Sequence, residues 1–225
     1  MRPTRLLLRI IICNIKPMPT EYKQARENMN DTSNGLNTYN GHGFVDLGLP
    51  SGTLWATCNV GATAPEQAGL YFAFGETTGF TAEQVESGER VFDEKSYIAK
   101  DMSIIFSLKQ DTANHYMGGK WRMPTKAEYQ ELRDNCNVMW TKNYNRTGVA
   151  GCVFKSKVNG NTVFFPAAGY YYNSSVYGVG SYGHYWSASW ISSSYAWYLY
   201  LNYNGQILSC GGRCYGYPAR GVCKR

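Results

Sequence analysis

From Tyr170 to Tyr217 the chain is poor in helix formers. That stretch holds twelve of the nineteen tyrosines, with Ser, Gly and Asn set between them. Ser, Asn, Tyr and especially Gly rank low in helix propensity, whereas Tyr and Trp suit the half-buried pleated surface of a strand. The stretch is therefore confined to short strands and turns, and its rings must either fill a core or stand on a surface. Asp134 is the last acidic residue, although residues 135–225 carry eight Lys and Arg.

Three segments of this stretch keep strand logic: 183–188, 196–201 and 215–223. In the second, period-two alternation sets Trp197, Leu199 and Leu201 on one face and Tyr198, Tyr200 and Asn202 on the other. The first face is expected to be core and the second exposed. An aromatic, uncharged outer face is unusual for a plain solvent surface. The stretches 190–195 and 209–215, read as loops, share the vocabulary of antibody-type binding loops. There Tyr and Trp give contact area at low rotamer cost, and Ser, Gly and Asn adapt their hydrogen bonding. Packing of the same rings on a small β-rich domain is the plainer alternative.

Upstream, residues 14–43 are polar and short of aliphatics, which suits a flexible leader, with 21–29 able to form a short helix. The start, Met1-Arg2-Pro3-Thr4-Arg5 followed by Leu6-Leu7-Leu8-Arg9-Ile10-Ile11-Ile12-Cys13, imitates a signal peptide. Arg9 splits its apolar run, so a degenerate signal or an upstream mis-assigned start weighs equally with real targeting. No segment has the roughly 20 apolar residues that span a bilayer. The domain is expected over 44–225, after a leader at 1–43. Phe44 to Val60 reads as strand, Pro50-Ser51-Gly52 turn and strand, and 70–75 as a short apolar strand. Residues 76–112 read as an irregular excursion with one helix. Thr125-Lys126-Ala127-Glu128 is a capping box that opens a helix to about Asn135. The segments 151–158 and 161–165 read as a hairpin about the two-residue turn Asn159-Gly160.

Chemistry is harder to find than contact surface. Calcium needs several oxygen ligands, and the C-terminal half offers no carboxylate. The three His are isolated, and Cys210-x-x-x-Cys214 lacks a second pair, so neither zinc nor another cofactor is expected. His184 and Ser187 have no orienting acid and no nucleophile elbow, so Ser187 reads as structural and the protein as a non-enzyme. Gly118-Gly119 and Gly178-Val179-Gly180 are turn glycines rather than phosphate loops. The cations are scattered, which argues against nucleic acid. Seven cysteines permit disulfides, Cys136 with Cys152 and Cys58 with Cys223 being the pairs to test. Asn145-Arg146-Thr147 and Asn173-Ser174-Ser175 match the glycosylation sequon.

Several ordered motifs carry a resemblance. Val45-Asp46-Leu47-Gly48-Leu49-Pro50-Ser51-Gly52-Thr53-Leu54-Trp55-Ala56, Trp121-Arg122-Met123-Pro124-Thr125, Pro166-Ala167-Ala168-Gly169, Tyr185-Trp186-Ser187-Ala188-Ser189 and the closing Arg213 to Cys223 resemble the "major paralogous domain" surface proteins of gut Bacteroidota and Fibrobacter. The resemblance implies an α+β, C-type-lectin-like (formylglycine-generating-enzyme-like) fold, loop-rich, with short antiparallel strands and one or two helices. That family is also similar to the variable proteins of diversity-generating retroelements, in which a fixed scaffold carries a C-terminal stretch changed at adenine-containing codons. The resemblance then implies a variable-type surface at about 185–220, with Trp190, Ser192, Ser193, Tyr198, Tyr200, Ser209, Cys210, Gly211, Gly212 and Tyr215 as exposed, ligand-contacting positions. Trp186, Leu199 and Leu201 would be scaffold. It further implies an unknown protein or glycan ligand, possible homo-oligomers, and a place on a cell surface, secreted, or on a phage particle. Two departures stand out. Gly221 follows Arg220 where the family has proline, which is expected to loosen the last strand, and the cysteine pair of formylglycine-generating chemistry is not found.

Overall fold

The turn at Pro50-Ser51-Gly52 joins two strands, as its flanks suggest. The computed structural model describes residues 37–98 and 111–225. The signal-like run, Cys13 and the suggested helix at 21–29 lie outside the described residues. Strands β1 (Thr38–Tyr39), β2 (His42–Asp46) and β3 (Thr53–Asn59) form an antiparallel set. The sheet is completed by β14 (Arg220–Lys224), which pairs with β3, so the two ends of the domain meet in one sheet. The folded part begins before residue 44. Tyr39 is buried, and its carbonyl accepts the indole N–H of the buried Trp121 at 2.9 Å.

The apolar run 70–75 yields only the two-residue β4 (Tyr71–Phe72), paired with β13 (Tyr217–Pro218). The described helices number three rather than one or two: α1 (Ala82–Glu86), α2 (Thr112–Met117) and α3 (Lys126–Asn135). After α3, β5 (Cys136–Thr141), β6 (Gly151–Ser156) and β7 (Thr162–Pro166) form an antiparallel sheet. The β6–β7 hairpin is present, but its connection is wider than two residues. The Ser156 N–H donates to the Asn161 carbonyl, leaving residues 157–160 as the loop. Then come β8 (Tyr170–Tyr172) and β9 (Ser175–Tyr177), a hairpin, and the sheet β10 (Tyr182–Trp190), β11 (Tyr195–Asn202) and β12 (Gly205–Gly212). The chain is therefore α+β, strand-rich, with short antiparallel sheets and long connections.

Register rules out both disulfide candidates. Cys136 faces Ser156 and Cys152 faces Trp140, four residues along the ladder. Cys223 faces Leu54, again four residues from Cys58. Four residues of strand span about 13 Å, far beyond the reach of a disulfide. Burial instead raises the thiols of Cys136 to about 11 and of Cys152 and Cys223 to about 12, which keeps them unreactive. Gly221 does not fray β14. The strand bulges there, and a Cβ would come within 2.6 Å of the Met117 sulfur, so glycine lets α2 pack directly on the strand.

The capping box of α3 does more than start the helix. Thr125 Oγ1 accepts the Glu128 N–H at 3.2 Å, and Glu128 Oε2 accepts the Thr125 N–H at 3.0 Å. The same carboxylate takes two hydrogen bonds from Arg122 and one from Thr53 on β3. Burial alone would raise this carboxyl. The Arg122 bonds and the Thr125 N–H outweigh it and hold the group at about 2, against an ordinary 4.5. A carboxylate depressed by folding adds stability above its unfolded pKa and loses it as pH falls through the folded one. Between pH 4.5 and 2 this group is expected to withdraw about 1–2 kcal/mol, discounted because Arg122 is partly solvated. Acid-range urea titrations of wild type and Glu128→Gln measure it, and parallel stability curves would assign the loss elsewhere.

Candidate ligand-binding surface

The β10–β12 sheet has two differently covered faces. One carries Tyr185, Leu199 and Leu201, fully buried against Tyr129 and Leu132 of α3 and against Trp55 and Phe165. Leu199 and Leu201 are core, as strand alternation suggests. Trp197, on the same face, is only half-buried. It lies at the sheet margin, where the Lys126 ammonium stands 3.3 Å from its ring centroid.

The other face is aromatic. Trp186 pairs with Tyr198 and His184 with Tyr200, while β12 sets Ser209 beside Tyr198 and Ile207 beside Tyr200. This face is not the open surface that alternation suggests. Trp186 is buried, stacks on Tyr217 at 4.1 Å, and donates its indole N–H to the Phe72 carbonyl. Tyr198 packs edge-on against Tyr217 at 5.1 Å, and burial raises its phenol pKa. Tyr200 is half-buried and accepts from the Asn202 amide at 2.9 Å. The β8–β9 hairpin lies across the same face: Tyr170 stacks on Tyr177 at 5.2 Å and meets His184 at 4.7 Å.

The residues implied as contacts therefore divide. Trp190 and Ser193 are exposed, and Trp190 ends β10 rather than lying in a loop. Ser192 is half-buried, and its hydroxyl accepts the N–H groups of Ser194 and Tyr195, so it shapes the turn. The stretch from Ser209 to Gly212 is strand, not loop. Cys210 is an exposed free thiol, but it sits opposite Trp197, on the face away from Tyr198 and Ser209. Gly211 is buried rather than exposed. A Cβ there would stand 2.7 Å from the Tyr217 hydroxyl and 3.1 Å from the Tyr198 ring, so no side chain fits without rearrangement.

Three of these residues do converge. Ser193, Gly212 and Tyr215 line a cleft of about 390 Å³ together with Tyr172, Tyr195 and Glu94. Tyr172 meets Tyr215 edge-on at 4.9 Å, and Tyr195 is 53% exposed. Beneath them Arg213, 1% exposed, donates to the carbonyls of Ser192 and Ser193 at 3.3 and 3.0 Å. Its guanidinium also lies over the rings of Phe74 and Tyr97, so the 190–195 turn is pinned from below. The remaining seven candidate positions do not line this cleft.

No family model, curated protein or solved structure matches this chain. Chemical function must be read from the geometry. The described residues contain no group of three or more His, Cys, Asp or Glu placed to hold a metal ion. Among them, no helix is long and apolar enough to cross a membrane. The cleft offers rings, hydroxyls and a carboxylate at its rim, which suits contact with a partner's side chains. Tyr172 and Glu94 were not among the sequence candidates. Tyr172 alternates with the buried Tyr171, a readable signal in a three-residue strand, whereas nothing local announces that Glu94 reaches this site.

Proposed function

We propose that this protein binds a ligand or receptor through the cleft and turns at the open end of the β10–β12 sheet, displayed on a C-type-lectin-like scaffold. The observation that carries it is the separation of roles within one sheet. Leu199, Leu201 and Trp186 are locked in core, while Ser193, Tyr195, Gly212 and Tyr215 meet in one solvent-open cleft. Arg213 fixes the backbone of the presenting turn and leaves the side chains of Ser193 and Tyr195 outward. Contacts of this kind can change without repacking the domain, which is what a retroelement-diversified variable protein requires. Such a protein would act at a cell surface, in secreted form, or on a phage particle, and oligomers would raise avidity.

A static adhesin of the same architecture, holding a glycan or protein with fixed contacts, is favoured at some positions. Gly211 and Ser192 are tied to packing and turn geometry, so the changeable set is smaller than ten. The coding nucleotides discriminate the two. A near-identical repeat differing only opposite adenines, beside a reverse-transcriptase gene, is expected for diversification, and its absence leaves the static adhesin. Binding itself is tested on immobilised cell-surface protein and glycan arrays. The double variant Tyr195→Ser/Tyr215→Ser is expected to lose at least about tenfold in signal with unchanged circular dichroism. An undiminished signal would remove the cleft from the binding site.

A further inference from the structure

At the other end of the β10–β11 pair a larger groove opens, of about 930 Å³. It lies where β10 begins and β11 ends, on the order of 25 Å along the strands from the 190–195 turn. Its walls are Trp140, Tyr182, Tyr203 and Val179, and its polar side chains include Lys142 and Ser181. Tyr203 is 72% exposed and Val179 61%, which leaves a large apolar area of this groove in water. The cleft described above takes no part in it.

We infer that this groove is a second binding site, for an acidic oligosaccharide. A sugar presents an apolar C–H face edged by hydroxyls, so it needs flat rings together with nearby donors and acceptors. The groove supplies both. The indole N–H of Trp140, the hydroxyls of Tyr182, Tyr203 and Ser181, and the Lys142 ammonium make no hydrogen bond within the described residues. They accompany one ring that stands in solvent, Tyr203, and two that are half-buried, Trp140 and Tyr182, the mix of apolar wall and few polar groups that small-ligand sites use.

Charge decides which sugar. Lys142 is the one charged side chain lining the groove, and every lining residue comes from the part of the chain beyond Asp134, where no carboxylate exists. A carboxylate or sulfate on the ligand meets an unpaired ammonium there and no opposing acid. The same lack of carboxylates means that the groove holds a glycan without the acid pair that would cleave it.

An acidic peptide fits less well. Peptides commonly add to a free strand edge, and the backbone here is already used: Ala167 N–H donates to Ala150, Gly180 N–H to Ala167, and Gly169 N–H to Tyr182. What remains free is side-chain hydroxyl, indole and ammonium.

Calorimetric titration of the full chain tests this with oligogalacturonate, its carboxyl-reduced counterpart, a sulfated oligosaccharide and an Asp/Glu-rich decapeptide. At least one acidic oligosaccharide is expected to bind with a Kd of about 1 mM or tighter, more tightly than the reduced sugar and the peptide. Tyr203→Ala should weaken it about tenfold or more, and because Tyr203 is largely exposed the variant leaves the fold intact. Lys142→Met should erase the preference for acidic over reduced sugar. Tyr195→Ser/Tyr215→Ser should leave saccharide binding unchanged, so failure here is separable from failure of the cleft. Absence of saccharide binding at about 10 mM, binding undiminished in Tyr203→Ala, or tighter binding of the decapeptide would each overturn the site.

Discussion

Replacing Arg220 by Ala is expected to cost about 3–5 kcal/mol of stability. Arg220 is 0% exposed and lies at the junction of three strands. Its guanidinium donates to the carbonyls of Ala56 and Thr57 on β3 and of Phe164 on β7, at 2.9, 2.5 and 2.8 Å. Its charged centre stands 4.6 Å from the Phe165 ring centroid. No carboxylate pairs with it within the described residues, and burial pulls its pKa below the usual guanidinium value. A guanidinium remains charged in proteins nonetheless. The charge is offset by carbonyl dipoles and a ring face instead of an acid, which explains how the acid-free part of the chain tolerates a buried cation. Ala removes a fully packed side chain and three charged donors together. Arg220→Met separates the two contributions by keeping most of the volume. It is expected to recover part of the loss yet stay about 1–3 kcal/mol below wild type. Urea unfolding midpoints measure both variants. A Met variant as stable as wild type would reduce Arg220 to a space-filling role.

How much of this was legible in the sequence depended on the reach of each signal. Thr125 and Glu128 are three residues apart, so their mutual capping could be read directly, and it stands as expected. The burial of Leu199 and Leu201 also followed from strand alternation. The companion expectation, that Tyr198 and Tyr200 face open water, failed for a long-range reason. Period-two reasoning assumes a sheet with one dry face, but here α3 covers one face and the β8–β9 hairpin with Tyr217 covers much of the other. Alternation therefore sorts side chains onto faces correctly without telling which face is wet. Strand β12 was missed because Gly211, Gly212 and Ser209 read as loop. It is an edge strand held by its ladder with β11, and Gly211 is demanded by the closeness of Tyr217. Cysteine pairing failed in a related way, since sequence order carries no register. The cleft depends most on distant chain: Tyr172 and Glu94 join Tyr215 only through tertiary contact.

The aromatic face also predicts how the protein responds to acid. His184 is 7% exposed, and five tyrosine rings surround it. The centroids of Tyr170, Tyr198, Tyr217, Tyr200 and Tyr182 lie at 4.7, 4.9, 4.9, 5.2 and 5.4 Å. Its Nδ1 is buried without a hydrogen-bond partner among the described residues. Burial lowers its pKa from 6.5 to about 3, and the groups packed around it are phenols, which stay neutral throughout that range. The unfolded chain therefore takes up this proton at a higher pH than the folded one, and stability falls as pH drops from about 6.5 toward 3. The full shift corresponds to about 4–5 kcal/mol. Ring faces stabilise an imidazolium by about 1–2 kcal/mol, so a net loss of about 3 kcal/mol is expected. His184→Phe keeps a flat ring in the box and removes the titration. At pH 7 it should equal or exceed wild type, because it eliminates an unpartnered buried nitrogen. Between pH 6.5 and 4 it should lose much less stability than wild type, since Glu128 and Asp111 contribute the same background to both. Urea midpoints across that range, with the imidazole titration followed by NMR, decide it. An imidazole that titrates near 6.5 in the folded protein, or equal acid losses in the two proteins, would mean that the box is open to water. Because Tyr182 and Tyr200 are themselves walls of the box, its protonation would loosen the β10–β11 pair that separates the cleft from the groove, so acid should weaken both binding sites together.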